Sequence, residues 1–182
     1  MKIYITRHGQ TDWNAMRHIQ GRTDIPLNEE GRKQAAIVRD GMKDIELDAI
    51  ISSPLIRAQE TADIINEEHK LPILQDERVI ERAFGDLEGT DIKEMNFTNF
   101  WHPERTQLYP TCEKVQDFYH RIYNFIDEVK ATYKGKNILV VAHGGVSLPF
   151  YSYFNGVPNT EDMRQFMLNN CEVVCYTIED DN

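Results

Sequence analysis

The segment Asn137 to Ala142, NILVVA, constrains the fold more than any other stretch of the chain. It is an apolar run rich in β-branched residues between Gly135 and Gly144, and such a run reads as a buried strand. His143, Gly144 and Gly145 follow it directly. Ile3 to Thr6 has the same character and leads into Arg7 and His8, and Asp48 to Ser52 (DAIIS) reads as a further strand. Glu172 to Ile178 (EVVCYTI) predicts an edge strand, whose open side offers a surface for a homodimer.

Helical patterns alternate with these strands. Asn28 caps a helix with Glu29 and Glu30 in its first turn, continuing through Ala35, Ala36 and Val38 to Gly41. A second helix is expected from near Pro54 to about His69. The longest covers Cys112 to Tyr133, where Val115, Phe118, Tyr119, Ile122, Phe125, Ile126 and Val129 recur at three- and four-residue steps. A short one follows from Gly144 to Tyr153. Strands alternating with helices predict an α/β fold, a three-layer α/β/α sandwich around a mostly parallel central sheet.

A length of 182 residues suits one domain, 1–182. The least regular stretch is 88–111, where Phe97, Phe100, Trp101 and Tyr109 stand among polar residues and prolines, and it is expected to form a lid or substrate wall. A formal charge of -10 disfavours nucleic acid and anionic membranes as partners, since both call for basic surface. No apolar stretch approaches the ~20 residues that span a bilayer, and the N-terminus lacks a signal-peptide core. Cys112, Cys171 and Cys175 have no metal-ligand spacing and suggest no disulfide framework, so the expected compartment is the cytoplasm.

In an open α/β sheet, ligands bind beyond the carboxyl ends of the parallel strands. Arg7 and His8 follow the first strand, Arg57 follows the turn after Ser52, and His143 follows NILVVA. Two arginines and two histidines are therefore expected at one edge. Arginine offers phosphate a rigid fork of donors, and a neutral imidazole is a competent nucleophile toward phosphorus. Gly9 and Gly144 would let backbone N–H groups approach the phosphate oxygens. A leaving oxygen also needs a proton, for which Glu81 is the candidate, after an expected strand and before a glycine turn; Asp86 and Glu88 stand nearby. Taken singly, these residues have plainer readings, such as an Arg57–Glu60 ion pair at helical spacing.

The ordered set of motifs resembles the histidine phosphatase superfamily, the phosphoglycerate-mutase-like enzymes and their small bacterial-type phosphatase branch. The hallmark Arg7-His8-Gly9 is joined by QTDWN (Gln10 to Asn14), DIPLNEEG (Asp24 to Gly31), SSPLIRAQETA (Ser52 to Ala62), ERAFGDLEG (Glu81 to Gly89) and VAHGG (Val141 to Gly145). The resemblance implies that His8 is transiently phosphorylated, that Arg7, Asn14, Arg57, His143 and Gly144 hold the phosphoryl group, and that Glu81 is acid and then base. Gln20, Gly21 and Arg82 are assigned to substrate binding. No metal or organic cofactor is implied, because the arginines neutralise the phosphoryl charge. The implied activity is metal-independent hydrolysis of a small phosphorylated metabolite. A cofactor-dependent phosphoglycerate mutase and a non-catalytic phosphate-binding module are the alternatives. The short stretch after Gly89 favours the phosphatase, whereas Pro110-Thr111-Cys112-Glu113-Lys114 departs from the Pro-x-Gly-Glu-Ser start usual in such phosphatases.

His18, His69, His102 and His120 carry no motif and read as solvated or structural. Arg17, Arg22 and Arg105 could reach a second anionic group, or simply lie at the surface.

Overall fold

A computed structural model describes residues 1–105 and 109–179. Residues 106–108, within the expected lid, and 180–182 lie outside the described residues. Strands β1 (Lys2–Arg7), β2 (Ala49–Ser52), β3 (Ile73–Gln75), β4 (Asn137–Ala142) and β5 (Val173–Thr177) form one sheet in the order β3-β2-β4-β1-β5. All neighbours pair in parallel except β5, which runs antiparallel to β1 as an edge strand.

The helices are α1 (Asp12–Ala15), α2 (Glu29–Met42), α3 (Ile56–His69), α4 (Val115–Thr132) and α5 (Gly144–Asn155). Central β4 is buried on both sides, and its side chains alternate between two cores. Ile138, Val140 and Ala142 join Ile3 and Ile5 against Phe118, Ile122, Phe125 and Ile126 of α4 and Val146, Leu148 and Phe150 of α5. Leu139 and Val141 join Ile50 against Val38 and Met42 of α2 and Ala58, Ala62 and Ile65 of α3. Each fully buried aliphatic side chain contributes about 1.5–3 kcal/mol, so both faces resist slippage of β4. Such a slip would exchange its two sets of side chains.

Three boundaries differ from the sequence reading. The strand expected just before Glu81 is shorter and earlier. Asp76 accepts a bond from the Arg78 backbone N–H at 2.8 Å and pairs with the Arg78 side chain, which turns the chain into a 3₁₀ segment at Glu77–Val79. Helix α4 begins at Val115 because Cys112 and Glu113 are held back against the Glu81 segment. The Cys112 thiol donates to Phe84 O at 3.1 Å and Glu113 N–H to Ala83 O at 2.9 Å. Helix α3 starts at Ile56 because Leu55 is still extended.

The register aligns the carboxyl ends of the strands, with Arg7 opposite Ala142 and Ser52 opposite Val141. His8 N–H continues onto Ala142 O at 2.9 Å and Ser53 N–H onto Val141 O at 3.0 Å, so His8, Ser53 and His143 leave the sheet at one level.

Asn28 binds two loops together at this end. Its Oδ1 caps α2 at Gly31 N–H (2.8 Å), and its Nδ2 donates to Gln10 Oε1 (3.0 Å). Asn28→Ala is expected to lose about 1 kcal/mol, read as a lower urea midpoint with an unchanged slope.

Candidate active site

His8 is 3% exposed. Its Nδ1 lies 2.7 Å from Gly9 O, and a carbonyl only accepts, so Nδ1 carries the proton and Nε2 keeps its lone pair. Burial pushes this imidazole well below its ordinary value, and the Arg57 and Arg7 cations add to the shift. His8 is therefore neutral at neutral pH. The Arg57 Nε–H meets Nε2 at 3.2 Å, while the other guanidinium nitrogens donate to Thr23 O (2.8 Å) and Gly21 O (2.7 Å). Arg57 forms no pair with Glu60, whose carboxylate instead accepts from Leu27 N–H and Arg32.

Arg7 donates to Leu168 O at 3.0 Å, and its Nε is buried without a partner. His143 lies edge-on to His8, with ring centroids 5.2 Å apart, and burial, followed by Arg57, lowers its pKa well below the ordinary value. It occupies the N-cap position of α5 without a side-chain cap bond, which places the following N–H groups at a helix N-terminus. Asn14 is fixed by a capping box with Thr11, in which each side chain accepts the other residue's backbone N–H. Its Oδ1 also accepts from Asn170 Nδ2 at 3.3 Å, leaving its own Nδ2 to donate.

Glu81 lies on another wall of the site. Its Oε1 accepts Arg82 N–H at 2.9 Å and its Oε2 accepts Gly145 N–H at 3.0 Å. Burial raises its pKa; these bonds and the two arginines oppose the rise without cancelling it. Only a glycine allows this approach, because a Cβ at Gly145 would stand 2.2 Å from Glu81 Oε1. The neighbouring acids are placed differently. Asp86 is exposed, and Glu88 takes bonds from Arg22 N–H, Thr23 N–H, Thr23 Oγ and Phe84 N–H. Burial pushes Glu88 up, but these bonds win and hold its carboxyl below the usual range. Its bonds bind the 20–23 turn, where Gly21 is left-handed at φ +54 and has no room for a side chain.

Arg7, His8, Asn14, Gln20, Gly21, Arg57, Glu81 and Gly144 all line one cavity of about 130 Å³. His143, buried against His8, does not line it, and neither does Arg82, assigned to substrate binding from sequence. Its guanidinium donates to Glu113 O and Phe100 O and stacks over the Phe100 ring at 4.2 Å, so it anchors the 88–111 segment from behind. That segment supplies Ile92, Phe97 and Trp101 to the cavity, joined by Phe84 and Met167. His18 also lines it, as does Arg164. Neither carries a local signal, because long-range packing brings each to the wall. Among the described residues no group of three or more His, Cys, Asp or Glu is placed to hold a metal ion, and no helix is long and apolar enough to cross a membrane.

Comparison with known proteins accords with this geometry. Residues 3–182 match the model of the histidine phosphatase superfamily (branch 1). The chain is 39% identical over 142 residues to the uncharacterized phosphatase PhoE of Bacillus subtilis, covering 78% of this chain and 71% of that protein. It is 32% identical over 181 residues to a probable phosphoglycerate mutase, GpmB of Escherichia coli O1:K1, covering 95% and 83% respectively. The solved structure of Bacillus stearothermophilus YhfR superposes with a TM-score of 0.87 at 32% identity, covering 98% of this chain and 91% of that one.

The two buried histidines of the site, His8 and His143, tie stability to pH. Their folded pKa values are depressed, so as pH falls through about 6.5 the unfolded chain takes up protons that the folded chain refuses. Stability is thus full above that range and falls below it, by up to about 1.4 kcal/mol per histidine per pH unit. Thermal unfolding from about pH 7.5 to about pH 5.5 should show Tm falling. A chain carrying both His8→Gln and His143→Gln should show a flatter profile. Glu81 titrates in both proteins and drops out of the difference.

Proposed function

The chain belongs to the histidine phosphatase superfamily, and from that premise we propose that it hydrolyses small phosphomonoesters by passing the phosphoryl group through His8. The observation that carries this reading is the state of the His8 ring: neutral, with its proton committed to Gly9 O and its Nε2 lone pair directed at a guanidinium donor. Nε2 attacks phosphorus and the bond to the ester oxygen breaks. Protonated Glu81 gives its proton to that oxygen, so the alcohol leaves neutral. Glu81, now a carboxylate, takes a proton from water as the oxygen attacks phosphohistidine; the N–P bond breaks, phosphate leaves and His8 is restored. Arg7, Arg57, His143, Asn14 and the Gly144 N–H are proposed to hold the phosphoryl oxygens through both steps.

Hydrolysis is favoured over isomerisation by what surrounds the clamp. Of the arginines considered for a second anion, Arg22 is held by Glu81 O and Glu113, Arg105 reaches Asn159, and neither these nor Arg17 lines the cavity. The remaining cationic lining residue, Arg164, is paired with Asp162 and stacks on Phe97. A second phosphate thus meets, among the described lining residues, no arginine or lysine outside the clamp that lacks an acidic partner. Residues 1–182 are read as one catalytic domain with 88–111 as its substrate wall. Three free cysteines suit the reducing cytoplasm, and the open edge of β5 is the surface on which two copies would pair.

His8→Ala should release no phosphate from any member of a metabolite-phosphate panel, and EDTA should leave wild-type turnover unchanged. Glu81→Gln should cost an alkyl phosphate about 10²–10⁴ in kcat. With p-nitrophenyl phosphate, whose leaving group needs no proton, the same variant should give a burst of nitrophenolate and then slow turnover. No release by wild type, together with bisphosphate-primed isomerisation of phosphoglycerate, would establish the mutase instead.

A further inference from the structure

His143 lies edge-on to His8, and a residue outside the clamp fixes which of its ring nitrogens carries the proton. His143 Nε2 lies 2.7 Å from the hydroxyl of Ser53, which is fully buried at the end of the neighbouring strand. The other ring nitrogen, Nδ1, is buried without a partner.

The hydroxyl resolves the tautomer by proton counting. Ser53 Oγ already accepts the Leu55 backbone N–H at 3.3 Å. If Nε2 carried the proton, Oγ would accept twice and its own hydrogen would have no acceptor among the described residues. His143 Nδ1 would then present a lone pair to a phosphate oxygen, and the two would repel. If instead the Ser53 hydroxyl donates to Nε2, Oγ is satisfied as donor and acceptor, and Nδ1 carries the proton. The second arrangement leaves nothing in the Ser53–His143 pair unpaired except one donor, Nδ1–H, which a phosphoryl oxygen can accept.

We infer that Ser53 is a positioning residue: its hydroxyl holds His143 in the Nδ1–H tautomer and thereby makes that imidazole a donor to the phosphoryl group. The register supports the pairing, since Ser53 extends β2 by bonding Val141 O at 3.0 Å, which sets its side chain beside His143, the residue that follows β4. The backbone thus fixes both partners before any ligand arrives. Burial keeps His143 neutral, so one ring nitrogen must lack a proton, and the hydroxyl determines which.

This inference rests on the phosphatase reading for its catalytic consequence but not for the tautomer itself, and the test separates the two. With ¹⁵N-labelled histidine, the ligand-free wild type should show a His143 ring protonated at Nδ1 and bare at Nε2, assigned by comparison with His143→Gln. Ser53→Ala should lose that preference and lower kcat/KM for a phosphomonoester by roughly 10- to 100-fold, the range seen when groups orienting a ligating imidazole are removed. It should also weaken binding of orthovanadate. Ser53→Thr, which keeps the hydroxyl, should restore both the spectrum and most of the rate, a rescue that simple loss of packing would not give. An Nε2–H ring in wild type would overturn the inference, as would a Ser53→Ala enzyme with unchanged kcat/KM. Absence of turnover in wild type, with the Nδ1–H tautomer present, would count against the phosphatase reading and leave the tautomer assignment standing.

Discussion

Positive charge is buried at the carboxyl edge of the sheet with no carboxylate paired to it. Arg57 is 1% exposed, and neither it nor Arg7 forms a salt bridge among the described residues; both donate to backbone carbonyls instead. Carbonyl dipoles soften the cost of burying a guanidinium but do not cancel its charge. The remaining demand is for an anion, and a phosphoryl group supplies two or more charges and several acceptors at once. Burial first, and the same unmet charge after it, keep His8 and His143 neutral, which a nucleophile at His8 requires. Clamp and nucleophile thus depend on the same buried, cationic surroundings.

That condition survives only because acids are kept away from it. The chain carries 30 aspartates and glutamates, yet among the described residues Glu81 is the one acid lining the cavity. Glu88, the nearest alternative in sequence, spends its oxygens on the 20–23 turn, the turn whose Gly21 and Thr23 carbonyls receive Arg57. An acid that would neutralise the clamp at close range therefore holds it in shape from behind. Glu81 differs from Glu88 in that burial prevails and raises its pKa, which eases its protonation beside the arginines.

The parts of this arrangement that were legible in the sequence are those fixed by local rules. Apolar runs at β1 and β4 announce strands, and residues placed directly after a strand's last position reach the sheet edge with little further choice, which locates Arg7, His8 and His143. The Asn28 cap was legible because capping is a contact across three residues. What remained hidden depends on contacts between distant segments. Arg82 was assigned to substrate binding, but its neighbours Phe100 and Glu113 come from elsewhere in the chain and turn it inward. His18 and Arg164 are silent for the converse reason, as only tertiary packing brings them to the wall. The strand expected before Glu81 failed on a local contact, the Asp76–Arg78 pair, which competes with continued extension.

Chemistry and selection are consequently carried by different kinds of structure. The groups proposed to act on phosphorus come largely from strand ends and helix starts whose positions are set by backbone register, and a displacement there would have to shift the sheet. The wall around the rest of a substrate is made by Phe84, Ile92, Phe97, Trp101 and Met167, held through ring contacts such as Phe84 with Trp101 at 5.6 Å and by the Arg82 stack. Contacts to the part of a substrate that does not change during reaction strengthen ground state and transition state alike, so altering this wall moves KM. Contacts to the phosphoryl oxygens strengthen as charge shifts during transfer, so altering the clamp moves kcat. Separating the two in the fold allows the wall to vary while the buried charge that drives the reaction stays in place.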